Sequence, residues 1–179
     1  MRKMLHLSGR LFLIALVAGL ALGATYHFTK EPIAYQQAIA TAGARATVIE
    51  GVALPDEGAE LTGSVRGAYV TEEGGRVIEV AATGYGGEFL VTVGVSPDGA
   101  ITGVSIGENQ ETVGLGKNAE KPEFTNQFLQ KNDRIEVVKS GASGNQIDAL
   151  TGATITTRAV AEAVNEAREF ALKRGGAAG

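Results

Sequence analysis

The chain has 179 residues, with 16 Lys and Arg against 20 Asp and Glu for a net charge of −4, enough for one domain with an added anchor. It has no Cys, which excludes disulfides, thiolate-bound metals, iron–sulfur clusters and thiol nucleophiles. Its two histidines, His6 and His27, both lie near the N-terminus, so a His-based triad or a poly-His metal centre in the body is excluded as well.

Arg2, Lys3 and Arg10 precede a run, Leu11 to Thr29, that holds no Lys, Arg, Asp or Glu. Roughly 19 helical residues give about 28 Å, near the hydrocarbon thickness of a bilayer. Residues 11–29 therefore read as a transmembrane helix. Residues 1–10 then form a cytoplasmic N-terminus by the positive-inside rule, and Tyr26 and Phe28 sit at the far interface. The body falls on the periplasmic or extracellular side of the inner (cytoplasmic) membrane. A cleaved signal peptide is the alternative, since Ala21-Leu22-Gly23-Ala24 offers a cleavage site. Without Arg2, Lys3 and Arg10 the remainder has 13 basic against 20 acidic residues, a net −7, and aromatics are only 6%. That balance argues against a nucleic-acid partner.

Residues 30–62 read as a helical linker and loop. Glu31 to Ala46 is Ala- and Gln-rich, with Pro32 suited to a first helical turn, and residues 51–63 are rich in Gly, Pro and acids. A folded domain follows at 63–174. Tyr69-Val70-Thr71 and Arg76 to Val80 flank Gly74-Gly75 as a hairpin. Phe89 to Val95 and Ile101 to Ile106 are further strands, joined by the turn Ser96-Pro97-Asp98-Gly99. Phe124 to Leu129 reads as a short helix with Phe124 and Phe128 on one face, and Arg134 to Lys139 as a strand. The last helix runs from about Thr157 to Lys173 with an apolar stripe of Val160, Val164, Ala167 and Ala171, and 175–179 is a flexible tail. Runs of strands with few helices make the fold α+β. Asp56, Glu57, Glu72 and Glu73 read as solvated turn charges.

Three loops are candidates for chemistry. In Asp148-Ala149-Leu150-Thr151-Gly152-Ala153-Thr154-Ile155-Thr156-Thr157 four hydroxyls precede a helix. Thr156 or Thr157 capping the helix would account for part of this, and a phosphate at the helix N-terminus would account for the surplus. Gly84-Tyr85-Gly86-Gly87 is either a hairpin bend or a close backbone approach to a flat ligand. Asn109 to Lys117 fails the spacing of a phosphate-binding P-loop and by itself reads as a surface loop.

The three loops together resemble the FMN-binding G subunit of Rnf ion-translocating oxidoreductase complexes, which is similar to the C subunit of the sodium-pumping NADH:quinone reductase. Asp148, Thr151, Gly152, Ala153 and Thr154 fit the family's D-x-x-[ST]-G-A-[ST] motif, and Gly84, Tyr85, Gly86 and Gly87 its GYGG segment. Glu111, Thr112, Gly114, Leu115 and Gly116 fit its E-T-P-G-L-G loop, with Val113 in place of Pro. That change removes a preset φ and restores an N–H. The resemblance implies a single N-terminal transmembrane helix followed by an FMN-binding domain of antiparallel strands with flanking helices. It also implies FMN esterified through its phosphate to Thr154 by a separate flavin transferase. Thr156 and Thr157 would belong to the cofactor-binding set, and Asp148 would orient the motif or help the transferase recognise it rather than act as a base. No metal site and no catalytic residue are implied. The function implied is an electron relay within a membrane ferredoxin:NAD oxidoreductase coupled to Na+ or H+ movement, with other subunits of the complex and the lipid bilayer as partners and no turnover alone. Two alternatives stand beside it: a stand-alone membrane-anchored covalent flavoprotein feeding an extracytoplasmic reductase, and a non-redox domain whose threonines only cap a helix.

Overall fold

The computed structural model describes residues 2–175. Of the tail expected at 175–179, Gly175 instead ends the last helix and 176–179 lie outside the described residues. The chain divides into two compact units between Ala40 and Thr41. The first is a stretch of α1 (Arg2–Val48), whose Leu11, Phe12, Ile14, Leu20 and Leu22 side chains are all exposed. α1 is long and apolar enough to cross a membrane. The hydroxyls of Thr25 and Thr29 donate to the carbonyls of Ala21 and Thr25, both at 2.9 Å, which hides their polarity inside the helix. Where Pro32 was expected in the first turn of a linker helix, α1 runs through it without a break. The cost is one helical bond, because Pro has no N–H to give the carbonyl four residues back.

The second unit is built on a five-stranded antiparallel sheet in sequential order: β1 (Leu54–Pro55), β2 (Val65–Val70), β3 (Arg76–Thr83), β4 (Glu88–Val95) and β5 (Ile101–Ile106). β1 is a two-residue edge pairing inside the segment read as loop, where the apolar pattern is too short to show. The even residues Ile78, Val80 and Ala82 of β3 and the odd residues Phe89, Val91, Val93 and Val95 of β4 share one buried face. α3 (Thr154–Gly175) covers that face with the predicted stripe, Val160, Val164, Ala167 and Ala171, all under 5% exposed. Each such Val contributes about 1.5–3 kcal/mol.

The opposite face carries Tyr69, Val77, Glu79, Thr92, Gly94 and Gly103. Here the end of α1 packs. Gly94 and Gly103 pair across β4 and β5, and a Cβ on Gly103 would stand 2.5 Å from Val48 Cα. The glycine pair is thus a notch for helix backbone. Thr102 Oγ1 donates to the Val48 carbonyl at 2.6 Å, and Arg45 Nε donates to Glu79 Oε1 at 2.7 Å while its guanidinium stacks 3.9 Å from the Tyr69 ring centroid.

The β5 edge is closed by the segment 116–131. It holds α2 (Pro122–Thr125), the 3-10 turns beside it, and Phe124 packed edge-to-face on Phe128 at 5.4 Å. Backbone bonds tie Ile101 to Gln130 and Lys131, covering an edge otherwise open to pairing. β6 (Glu136–Val138) and β7 (Gln146–Asp148) form a small parallel pair, which the sequence reading anticipated only as one strand at 134–139. Asp56 is not merely solvated. It accepts from Arg174 at 3.1 Å and fastens the loop after β1 to the end of α3.

Candidate functional site

α3 begins a turn earlier than its pattern suggests. Gly152, at φ +76°, turns the chain, and the first helical bond runs from Thr157 N–H to the Ala153 carbonyl at 3.0 Å. The amides of Thr154, Ile155 and Thr156 therefore stand at the open, positive end of the helix. Neither Thr156 nor Thr157 is the cap. Thr157 Oγ1 donates to the Ala153 carbonyl at 2.9 Å and accepts the Leu150 N–H at 3.1 Å. Thr156 Oγ1 donates to Glu111 Oε2 at 2.8 Å. The four threonines thus divide in two. Thr156 and Thr157 are buried and hold the turn, while Thr151 and Thr154 are exposed.

Glu111, in a loop that reads as surface, is only 6% exposed. Its Oε1 accepts the Gly86 N–H at 2.9 Å, so one carboxylate links all three loops. Glycines make room for it: a Cβ would stand 2.2 Å from Oε1 at Gly84 and 2.0 Å from Oε2 at Gly116. A Cβ on Gly86 would stand 2.3 Å from the Gln110 carbonyl oxygen. Asn109 Oδ1 accepts the Glu111 N–H at 3.2 Å and secures the start of the loop.

The loops enclose a pocket of about 470 Å³, inside the roughly 300–1,000 Å³ range of ligand sites. From the expected residues, Tyr85, Glu111, Thr112, Leu115, Gly116, Gly152, Ala153, Thr154 and Thr156 line it. Gly84 and Gly86 lie behind, against Glu111 and its neighbour. Gly87 and Gly114 serve positive-φ turns (+119° and +82°) and do not line the pocket. Thr151, Thr157 and Asp148 also lie outside it. The Asp148 carboxylate accepts the Ala142 N–H at 2.8 Å, so it braces the short crossover between β6 and β7. Ile155 lines the pocket too, 59% exposed. Sequence reasoning missed it, although an Ile off the α3 core stripe and among threonines was a usable signal.

These residues fit a flavin mononucleotide. Three free amides and a helix dipole suit its phosphate. The exposed apolar surfaces of Tyr85 (76% exposed), Leu115 and Ile155 suit a flat ring. A larger hollow, about 550 Å³, lies beside the end of α1 and is lined by Thr47, Ile49, Glu73 and Pro97. The helix end there is a C-terminus, the wrong pole for a phosphate.

Residues 84–169, which span all three loops and most of α3, match the FMN-binding domain family. Over 158 residues the chain is 35% identical to the G subunit of the proton-translocating ferredoxin:NAD(+) oxidoreductase complex of Clostridium ljungdahlii, covering 86% of this chain and 83% of that one. It belongs to the G-subunit family of ion-translocating oxidoreductase complexes. Another relative in the family is the G subunit of the Na(+)-translocating ferredoxin:NAD(+) oxidoreductase complex of Acetobacterium woodii, 33% identical over 87% of this chain and 85% of its own. The fold is also that of the C subunit of the Na(+)-translocating NADH-quinone reductase from Parabacteroides distasonis. That structure has a TM-score of 0.54 and 22% identity, covering 72% of this chain and 78% of that chain.

Proposed function

We propose that this chain is the electron-carrying subunit of a membrane ion-translocating ferredoxin:NAD+ oxidoreductase complex, working through FMN joined covalently to Thr154. The observation that carries the reading is the placement of Thr154. Its exposed side chain lies at the open end of α3 and on the lip of a pocket shared by three loops. The names of the relatives supply the complex.

When bound, FMN supplies the electron transfer that a chain without Cys, and with no His in its body, does not itself provide. Thr154 Oγ1 would provide the ester oxygen. A flavin transferase would move the FMN phosphoryl group to it from a flavin dinucleotide, breaking the pyrophosphate bond with a nucleoside monophosphate as leaving group and loss of the hydroxyl proton, so that the chain gains one FMN less water. The amides at the start of α3 hold the remaining phosphate charge. Tyr85, Leu115 and Ile155 give the ring an apolar bed and exclude water from one side of it. A covalent tether keeps the cofactor in place on a face of the membrane where no free FMN pool is expected. Residues 11–29 anchor the chain in the inner membrane. Arg2, Lys3 and Arg10 keep the N-terminus cytoplasmic and the acidic body on the periplasmic or extracellular side.

The test is the full complex in membranes. Reduced ferredoxin should bleach the flavin on this chain when the other subunits are present and not when the chain is purified alone. Bleaching of the isolated chain at the same rate would contradict a relay role.

A further inference from the structure

Glu111 is a buried acid with both carboxylate oxygens committed to the walls of the pocket. One holds the Gly86 amide from the β3–β4 turn and the other holds the Thr156 hydroxyl from the first turn of α3. Glycines at 84 and 116 leave the space it fills. The chain thus places a negative charge against the cavity in which Thr154 stands, next to a helix end suited to an anion. A carboxylate is a costly choice for bracing two loops, because burying a charge is expensive even when it is hydrogen-bonded. A neutral amide fits the same space and the same partners. Gln Oε1 accepts the Gly86 N–H, and Thr156 rotates its hydroxyl to accept from the amide nitrogen. The charge therefore calls for a role beyond bracing.

We propose that Glu111 is the positioning and potential-setting residue of the flavin site: it locks the Gly84–Gly87 turn to α3 as one wall and sets a fixed negative charge beside the flavin. Each electron added to the cofactor makes it more negative or draws a proton to it, and a nearby carboxylate in a low-dielectric wall opposes that added charge. Glu111 so holds the reduction potential down and keeps the carrier a ready donor. This inference rests on the covalent FMN reading.

The experiment uses the full chain in detergent, co-expressed with a flavin transferase, as wild type, Glu111→Gln, Thr156→Val and Thr156→Ser. Four readouts are taken: flavin content by mass, midpoint potential by spectroelectrochemistry, fluorescence anisotropy of the flavin, and the melting curve. Glu111→Gln should fold, load with flavin and show a midpoint potential more positive than wild type. Thr156→Val keeps the charge but frees one wall, so its anisotropy should fall while its potential moves less, and Thr156→Ser should restore both. A folded, loaded Glu111→Gln protein with the wild-type potential would overturn the proposal. If Glu111→Gln does not fold, unchanged anisotropy in Thr156→Val overturns it, and failure of both to fold makes Glu111 structural only and overturns it too. A wild-type chain without flavin, beside a loaded control substrate, defeats the covalent reading and this inference with it.

Discussion

The carbonyl oxygen of Val48, at the end of α1, lies 2.1 Å from the point where a Cβ on Gly94 would stand. Nothing but hydrogen fits between Val48 and the sheet there, so at this point the end of α1 rests on the backbone of β4 and β5. Replacing Gly94 or Gly103 with Ala should cost about 1–3 kcal/mol through overpacking. The readouts are the denaturation midpoint of the full chain in detergent and faster proteolysis near residue 48. Wild-type values for both variants would mean that the helix end can shift without loss.

Glu79 is 5% exposed and meets Arg45 at 2.7 Å. Glu79→Ala leaves the guanidinium without its charged acceptor, at a cost of about 1.5–3 kcal/mol. Glu79→Gln, which keeps an acceptor, should cost less. Chemical denaturation of the two variants checks the order.

Burial, and then the neighbouring Glu79 carboxylate, push the Tyr69 hydroxyl above its ordinary value of about 10. The folded state therefore favours the neutral phenol. Its contribution to stability is complete below about pH 10 and is lost as pH rises through the folded value. Stability should fall across that alkaline window in wild type, and by less in Tyr69→Phe, which has no proton there to lose. Identical alkaline slopes would contradict it.

Thr157 is fully buried, and its hydroxyl is the acceptor for the Leu150 amide in the turn before α3. Thr157→Val keeps the shape and removes that acceptor. A loss of about 1–3 kcal/mol is expected from the unmet N–H. The turn that presents Thr154 should loosen, which amide hydrogen exchange at residues 150–154 would detect.

Much of this was legible in the sequence because it is local. The β-prone runs at 76–80, 89–95 and 101–106 mark three strands, which the structure extends to Thr83 in β3 and back to Glu88 in β4, and the spacing of Val160, Val164, Ala167 and Ala171 marks α3. The three loops were also identifiable as candidates. What was hidden depends on distant approach. Glu111 looks solvated until Gly84 and Gly116 close on it. Gly94 and Gly103 look like weak strand residues until α1 needs their space. The early start of α3 hides because Thr157 uses its hydroxyl on the preceding turn instead of on a free helix amide. β7 has three residues and pairs in parallel, too little for a pattern to register.

The most direct test of the central claim is intact mass of the full chain, co-expressed with a flavin transferase, beside Thr154→Ala. The account predicts a mass gain of one FMN less water on the wild type and none on the variant, with both proteins folded. An adduct that persists in Thr154→Ala, or no adduct on the wild type while the transferase loads a control substrate, would contradict it.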